Sequence, residues 1–247
     1  MPHAVDLIEP QWPAPPGVRA AFTLRTGGVS AAPYDSFNCA AHVGDDAAAV
    51  TENRRRLCER LALAQAPTWL EQVHGSRVAV LSGSAEPLAP ADAVVTRDAG
   101  RVCVVQVADC LPVLLASRDG AAVGAAHAGW RGLAAGVLEA AVRALGAAPG
   151  EVLAWLGPAI GPGAFEVGAE VREAFLQADP AAAAAFTANA RGRWQCDLTA
   201  LARQRLEALG VRQIYGGSWC TYADPARFFS YRRDGRCGRM AGLIWRS

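Results

Sequence analysis

Residues 106–132, QVADCLPVLLASRDGAAVGAAHAGWRG, set Asp109 and Cys110 after one apolar run and His127 after another. Between PVLLAS and AAVGAA lies Asp119-Gly120, a strong two-residue hairpin signal. With that pair as the turn, His127 stands opposite Pro112 and one diagonal step from Cys110, within about 7–8 Å by backbone. Side chains alternate between faces with a period of two, so a slip of one residue would separate them. The register of this hairpin decides whether a thiol and an imidazole meet.

Further apolar runs read as buried strands: RVCVVQV (101–107), VLAWLG (152–157), FFSYRR (228–233) and RMAGLIW (239–245). Helical periodicity falls on 45–63, 131–145, 167–177 and 198–208, with aspartates capping the first and Asp197 and Gly210 bounding the last. Arg54, Arg55 and Arg56 read as the solvated face of the first. Several strands stand too close for helical crossovers, so the expectation is a mixed α and β architecture with hairpins, not a regular doubly wound sheet. The alanine-rich DPAAAAAFTANA (179–190) reads as an exposed helix or loop insert.

The chain of 247 residues is 52% hydrophobic and 19% charged with a net charge of +1, which describes one globular domain and implies no nucleic-acid partner. No run of about 18 apolar residues suits a membrane and the N-terminus is unlike a signal peptide, so a cytoplasmic location is expected. Seven scattered cysteines without a C-x-x-C pair suggest neither a disulfide framework nor a zinc ribbon.

A thiol and an imidazole at strand ends have two productive uses: a Cys110–His127 nucleophile pair, or two ligands of a zinc ion. Zinc needs a third, and His74, ending the strand-like WLEQVHG, supplies it from a chain with only four histidines (His3, His42, His74, His127). Residue spacing leaves both readings open.

Seven segments together resemble the YfiH-like family, also called the laccase-domain or polyphenol oxidase family and reassigned as purine nucleoside phosphorylase: RTGGVS (25–30), EQVHG (71–75), ADAVVT (91–96), VADCLPVLL (107–115), AAHAGWRG (125–132), GPAIGP (157–162) and FFSYRRDG with GRMAGLIW (228–245). The resemblance implies an α+β fold, a layered α/β/β/α sandwich with mixed sheets over residues 1–247, akin to that of cysteine-dependent deamidating toxins. It implies a zinc site of His74, Cys110 and His127. It also implies phosphorolysis of adenosine, inosine, guanosine or S-methyl-5'-thioadenosine, together with adenosine deamination. Cys39 and Cys237 depart from the family pattern, and greater sensitivity to oxidation is the expectation they raise.

Phosphorolysis requires an anion site, and arginine is the natural fork. Arg25, beside two glycines, and Arg131, opening a helix after His127, are the first candidates, ahead of Arg232 and Arg233 in a final hairpin. Asp109 is a candidate for ligand orientation or proton transfer, with a strand-end turn as its alternative. Phe165, Phe229 and Tyr231 could stack on a purine. His42 and Asn38 read first as loop-stabilising hydrogen bonders and second as sugar or phosphate contacts. Competing functions are a metal-free cysteine hydrolase, editing of cell-wall precursors, and a multicopper polyphenol oxidase, for which four histidines are too few.

Overall fold

Strands covered on both faces are apolar throughout instead of alternating, and the central runs form such strands. The computed structural model describes residues 5–83 and 89–247; His3 lies outside them. A six-stranded sheet runs in the order β12 (Gln213–Gly216), β8 (Val152–Leu156), β6 (Leu111–Ser117), β7 (Val123–Ala128), β4 (Ala93–Thr96) and β3 (Val78–Leu81). Its two outer pairs are parallel and its inner pairs antiparallel. Against it lies an antiparallel sheet in the order β1 (Leu7–Ile8), β2 (Val18–Thr23), β13 (Met240–Arg246) and β5 (Val102–Val107). A third, small sheet joins β10 (Phe186–Ala188), β11 (Trp194–Cys196) and β9 (Glu166–Val167).

Alternation along the strands sorts the side chains into layers. Val94, Leu114 and Trp155 of the large sheet pack on Phe22, Val105 and Ile244 of the four-stranded one. On the opposite face, Val95, Val113 and Leu115 share a core with Leu138 of α3 (Val137–Leu145), Phe175 of α4 (Ala169–Leu176) and Leu201 of α5 (Leu198–Leu209). The far side of the four-stranded sheet, with Ala21, Val104 and Leu243, is covered by Leu57 and Leu61 of α1 (Ala47–Leu61). The result is the expected helix, sheet, sheet, helix sandwich. Each fully buried Leu or Phe contributes about 1.5–3 kcal/mol of burial to that stack.

The deciding hairpin has the expected register, with Pro112 opposite His127. Gly120 takes φ +69° at the turn, and Asp119 accepts from the Ala121 amide and the Ser117 hydroxyl. Asp46 and Asp197 cap α1 and α5 through their side chains, and Gly210 ends α5 at φ +97°.

Four expectations are corrected. The helix over 131–145 is two, α2 (Trp130–Ala134) and α3, because Gly136 turns left-handed at φ +89° between them. FFSYRR is no strand: the Ser230 hydroxyl accepts from the Arg233 amide and opens the short helix α6 (Tyr231–Asp234), so Arg232 and Arg233 do not sit in a hairpin. The alanine-rich insert is a 3₁₀ turn, Pro180–Ala185, leading into β10, with Ala182, Ala185 and Phe186 buried. Arg54 is half-buried instead of solvated; it donates to the Cys39 carbonyl and stacks 4.0 Å over Trp69. Among the described residues no helix is long and apolar enough to cross a membrane.

Candidate metal centre

Two strand ends and a loop deliver the centre, because WLEQVHG, expected to be strand-like, carries no strand. Cys110 immediately precedes β6, His127 is the penultimate residue of β7, and His74 sits in the loop before β3. Their ligand atoms all lie within 4.8 Å of one another, with Cys110 Sγ 3.8 Å from His74 Nε2 and the imidazole centroids 4.7 Å apart. His74 (φ +61°) and Asp109 (φ +92°) both take the left-handed backbone that residues with side chains rarely adopt, and such strain concentrates where geometry serves function.

The residue that organises this centre is Asp92, which the sequence singled out only as part of ADAVVT. It precedes β4 directly across from His127, whose amide donates to its carbonyl at 2.7 Å. The fully buried Asp92 carboxylate accepts from His127 Nδ1 at 2.8 Å and from the amides of Val73, His74 and Gly75 at 3.2, 2.8 and 2.7 Å. One carboxylate thus orients one ligand ring and holds the loop that carries another. An ionised carboxylate only accepts, so His127 Nδ1 bears the proton and Nε2 is left to face Cys110.

Burial alone would raise the Asp92 carboxyl, but the His127 ring and the Gly75 and His74 amides outweigh it and hold the group below its usual range. Burial likewise opposes ionisation of Cys110, yet the charges and hydrogen bonds of His127 and His74 bring its thiol down to about 6. His127, against its own burial, is pushed up to about 9 by Cys110 and Asp92. Without a metal, each group pulls the other toward its charged form, which favours a thiolate beside an imidazolium.

The donor set suits zinc. A tetrahedral ion with bonds of about 2.0–2.3 Å places its donors roughly 3.3–3.8 Å apart; the Cys110–His74 separation of 3.8 Å meets the upper end of that range, and the set as a whole lies within 4.8 Å. Three protein ligands leave a fourth position open, as in catalytic sites. Two cavities adjoin it. One, of about 140 Å³, has Trp130, Ile160, Phe165 and Leu198 as apolar walls and Asp109 and Arg232 as polar ones. The other, of about 230 Å³, is lined by His42, Gln72, Gln106, His127 and Arg239. His74, Ala108, Cys110 and Tyr231 border both.

The remaining candidates separate. Asp109 accepts from the Thr221 hydroxyl at 2.6 Å and the Arg232 amide at 2.7 Å, tying α6 to the ligand turn. Arg25 donates to Asp35 and to the Pro225 carbonyl and stacks on Phe229, which is fully buried; neither Arg25 nor Phe229 lines either cavity. Arg131 lies over Trp130 with its guanidinium outside both linings. Arg233 is engaged by carbonyls of Thr221, Tyr222 and Phe228, while Arg232 reaches the Glu166 carbonyl and stacks on Phe165. Asn38 is a buried loop bonder that receives the Arg239 amide. Cys39 and Cys237 are buried and their thiols are raised by burial, Cys39 to about 12, which overturns the expectation of oxidation sensitivity.

Residues 19–247 match the family described as multi-copper polyphenol oxidoreductase laccase. The chain is 55% identical to a Pseudomonas aeruginosa protein named purine nucleoside phosphorylase, over 96% of this chain and 97% of that one. It is 54% identical to the Escherichia coli purine nucleoside phosphorylase YfiH, over 97% and 98%. A crystal structure of a Neisseria meningitidis protein superposes with TM-score 0.91 at 46% identity, covering 98% of this chain and 99% of the other.

Proposed function

The chain belongs to the multi-copper polyphenol oxidoreductase laccase family, and from that premise we propose that it is a zinc-dependent purine nucleoside phosphorylase with adenosine deaminase activity at the same centre. Its substrates are adenosine, inosine, guanosine and S-methyl-5'-thioadenosine. The observation that carries this reading is the His74–Cys110–His127 cluster opening onto two cavities of different polarity. Copper oxidation would need many more nitrogen and sulfur donors than the four histidines of the chain can help to furnish.

In phosphorolysis the bond from the sugar anomeric carbon to the purine nitrogen breaks and a carbon–oxygen bond to phosphate forms. The departing base takes the electron pair and needs a proton. Phe165 and Trp130 form walls against which a flat purine can lie, with Tyr231 at the border. Asp109, whose two oxygens each keep a further acceptor position, takes the proton that hydrogen phosphate gives up as its oxygen bonds to the anomeric carbon and passes it to the departing base nitrogen. Zinc, when bound, supplies a Lewis acid for the centre. Asp92 holds the His127 tautomer and the His74 loop in place throughout.

Metal content and adenosine turnover, with and without phosphate, test the reading on the wild-type chain and on Cys110→Ala. One zinc per chain, adenine released only with phosphate, and loss of both in the variant are expected. A metal-free protein inert toward adenosine, with Cys110 readily alkylated near neutral pH, would overturn it and point to a cysteine hydrolase using Cys110 and His127.

A further inference from the structure

Among the described residues no aspartate or glutamate lines the larger cavity beside the metal donors, whereas His42 and Arg239 both do. Its two glutamines are occupied with each other and with the Cys39 carbonyl. Arg239 makes all its side-chain hydrogen bonds from Nη1, to the Cys237 carbonyl and sulfur and to the Gly238 carbonyl. Among the described residues, its Nε and Nη2 have no acceptor, and neither Arg239 nor nearby Arg54 pairs with a carboxylate. A guanidinium with a free fork in a cavity without counter-charge matches the geometry of a tetrahedral oxyanion.

We propose that this cavity is the oxyanion subsite of the centre, with Arg239 as the bidentate fork and His42 as a second donor, and that it takes inorganic phosphate. The choice of phosphate rests on the phosphorylase reading; the choice of an anion rests on the cavity. Placement of Arg239 follows from the chain, since its amide is fixed by the Asn38 side chain and its guanidinium lies over Tyr231 at 5.8 Å, on the border with the apolar cavity. An anion held there lies beside His74, Cys110 and His127, which line the same space, and faces a nucleoside whose base occupies the other cavity. The cationic field is felt by His42, which burial together with Arg239 and Arg54 lowers below the usual imidazole range.

The test is calorimetric titration of inorganic phosphate, and separately of ribose 1-phosphate, into zinc-loaded wild type, Arg239→Gln and His42→Asp. Loss of a charge-assisted pair weakens binding by about tenfold or more, so both variants should bind phosphate at least about tenfold more weakly. His42 is exposed, so its substitution carries the test if Arg239→Gln fails to fold. Binding of ribose 1-phosphate but not of phosphate would overturn the claim that the site takes the free anion. So would a wild type that binds neither, or variants that both bind as wild type does. If phosphate binding is lost in the variants while wild type releases no base from adenosine, the subsite stands and the phosphorylase reading falls.

Discussion

Asp92 shows how much of a metal centre can rest on a residue that never touches the metal. Carboxylates of this kind fix the ring and tautomer of a ligating histidine, and their removal costs about 10–100-fold in metal affinity. Asp92→Asn should lower zinc affinity by about that factor, measured against a chromophoric chelator; an unchanged affinity would mean that the His74 loop holds itself. The ion pair of Cys110 and His127 has a signature in the metal-free protein. The depressed Cys110 thiol adds stability that is present above its unfolded range and disappears as pH falls through about 6. The raised His127 adds stability that is present at low pH and disappears as pH rises through about 9. Between those values the first contribution grows with pH as fast as the second fades, so unfolding reports little of the pair. The thiolate ultraviolet absorbance of metal-free wild type, read against metal-free Cys110→Ala, should instead titrate through about 6, and a midpoint at the ordinary thiol value of 9.0 would contradict the pair. Cys110 and His127 were legible because a hairpin signal fixed their register; Asp92 was not, because it depends on pairing between β4 and β7, whose separation no local motif announces.

At the scale of elements, the turn from β7 into α2 brings backbone against ligands. A Cβ on Gly129 would stand 2.9 Å from Cys110 Sγ and 3.0 Å from His74 Cδ2, and one on Gly132 would stand 2.7 Å from the Gly75 carbonyl. Gly129→Ala should reduce zinc content by more than half in metal analysis while leaving the far-ultraviolet circular dichroism unchanged; full occupancy would show that the ligands can yield. Strands β5, β6, β7, β8 and β13 were readable because burial on two faces leaves continuous apolar runs, while the shorter or more polar β1, β2, β3 and β12 were not. FFSYRR misled for the same reason: Phe228 and Phe229 are fully buried, but as part of an irregular segment that ends in a serine cap, and composition does not distinguish the two.

For the molecule as a whole, the two sheets form the scaffold that holds three distant segments of chain at one point. Leu114 lies between them, fully buried beside Trp155 and Phe22. Leu114→Ala should lower unfolding free energy by about 2–5 kcal/mol, read from the urea midpoint at unchanged slope; no shift would mean that the sheets are not coupled through that layer. The layered order followed from resemblance, whereas the cavity formed by His42, Gln106 and Arg239 joins residues far apart in sequence, and although Arg239 lies within GRMAGLIW, nothing local to that motif sets it beside His42. The most direct measurement is phosphorus nuclear magnetic resonance of zinc-loaded enzyme with adenosine and phosphate. Ribose 1-phosphate should grow as inorganic phosphate declines, one for one with free adenine. Adenine accompanied by free ribose and an undiminished phosphate signal, or no base released at all, would contradict a phosphorylase.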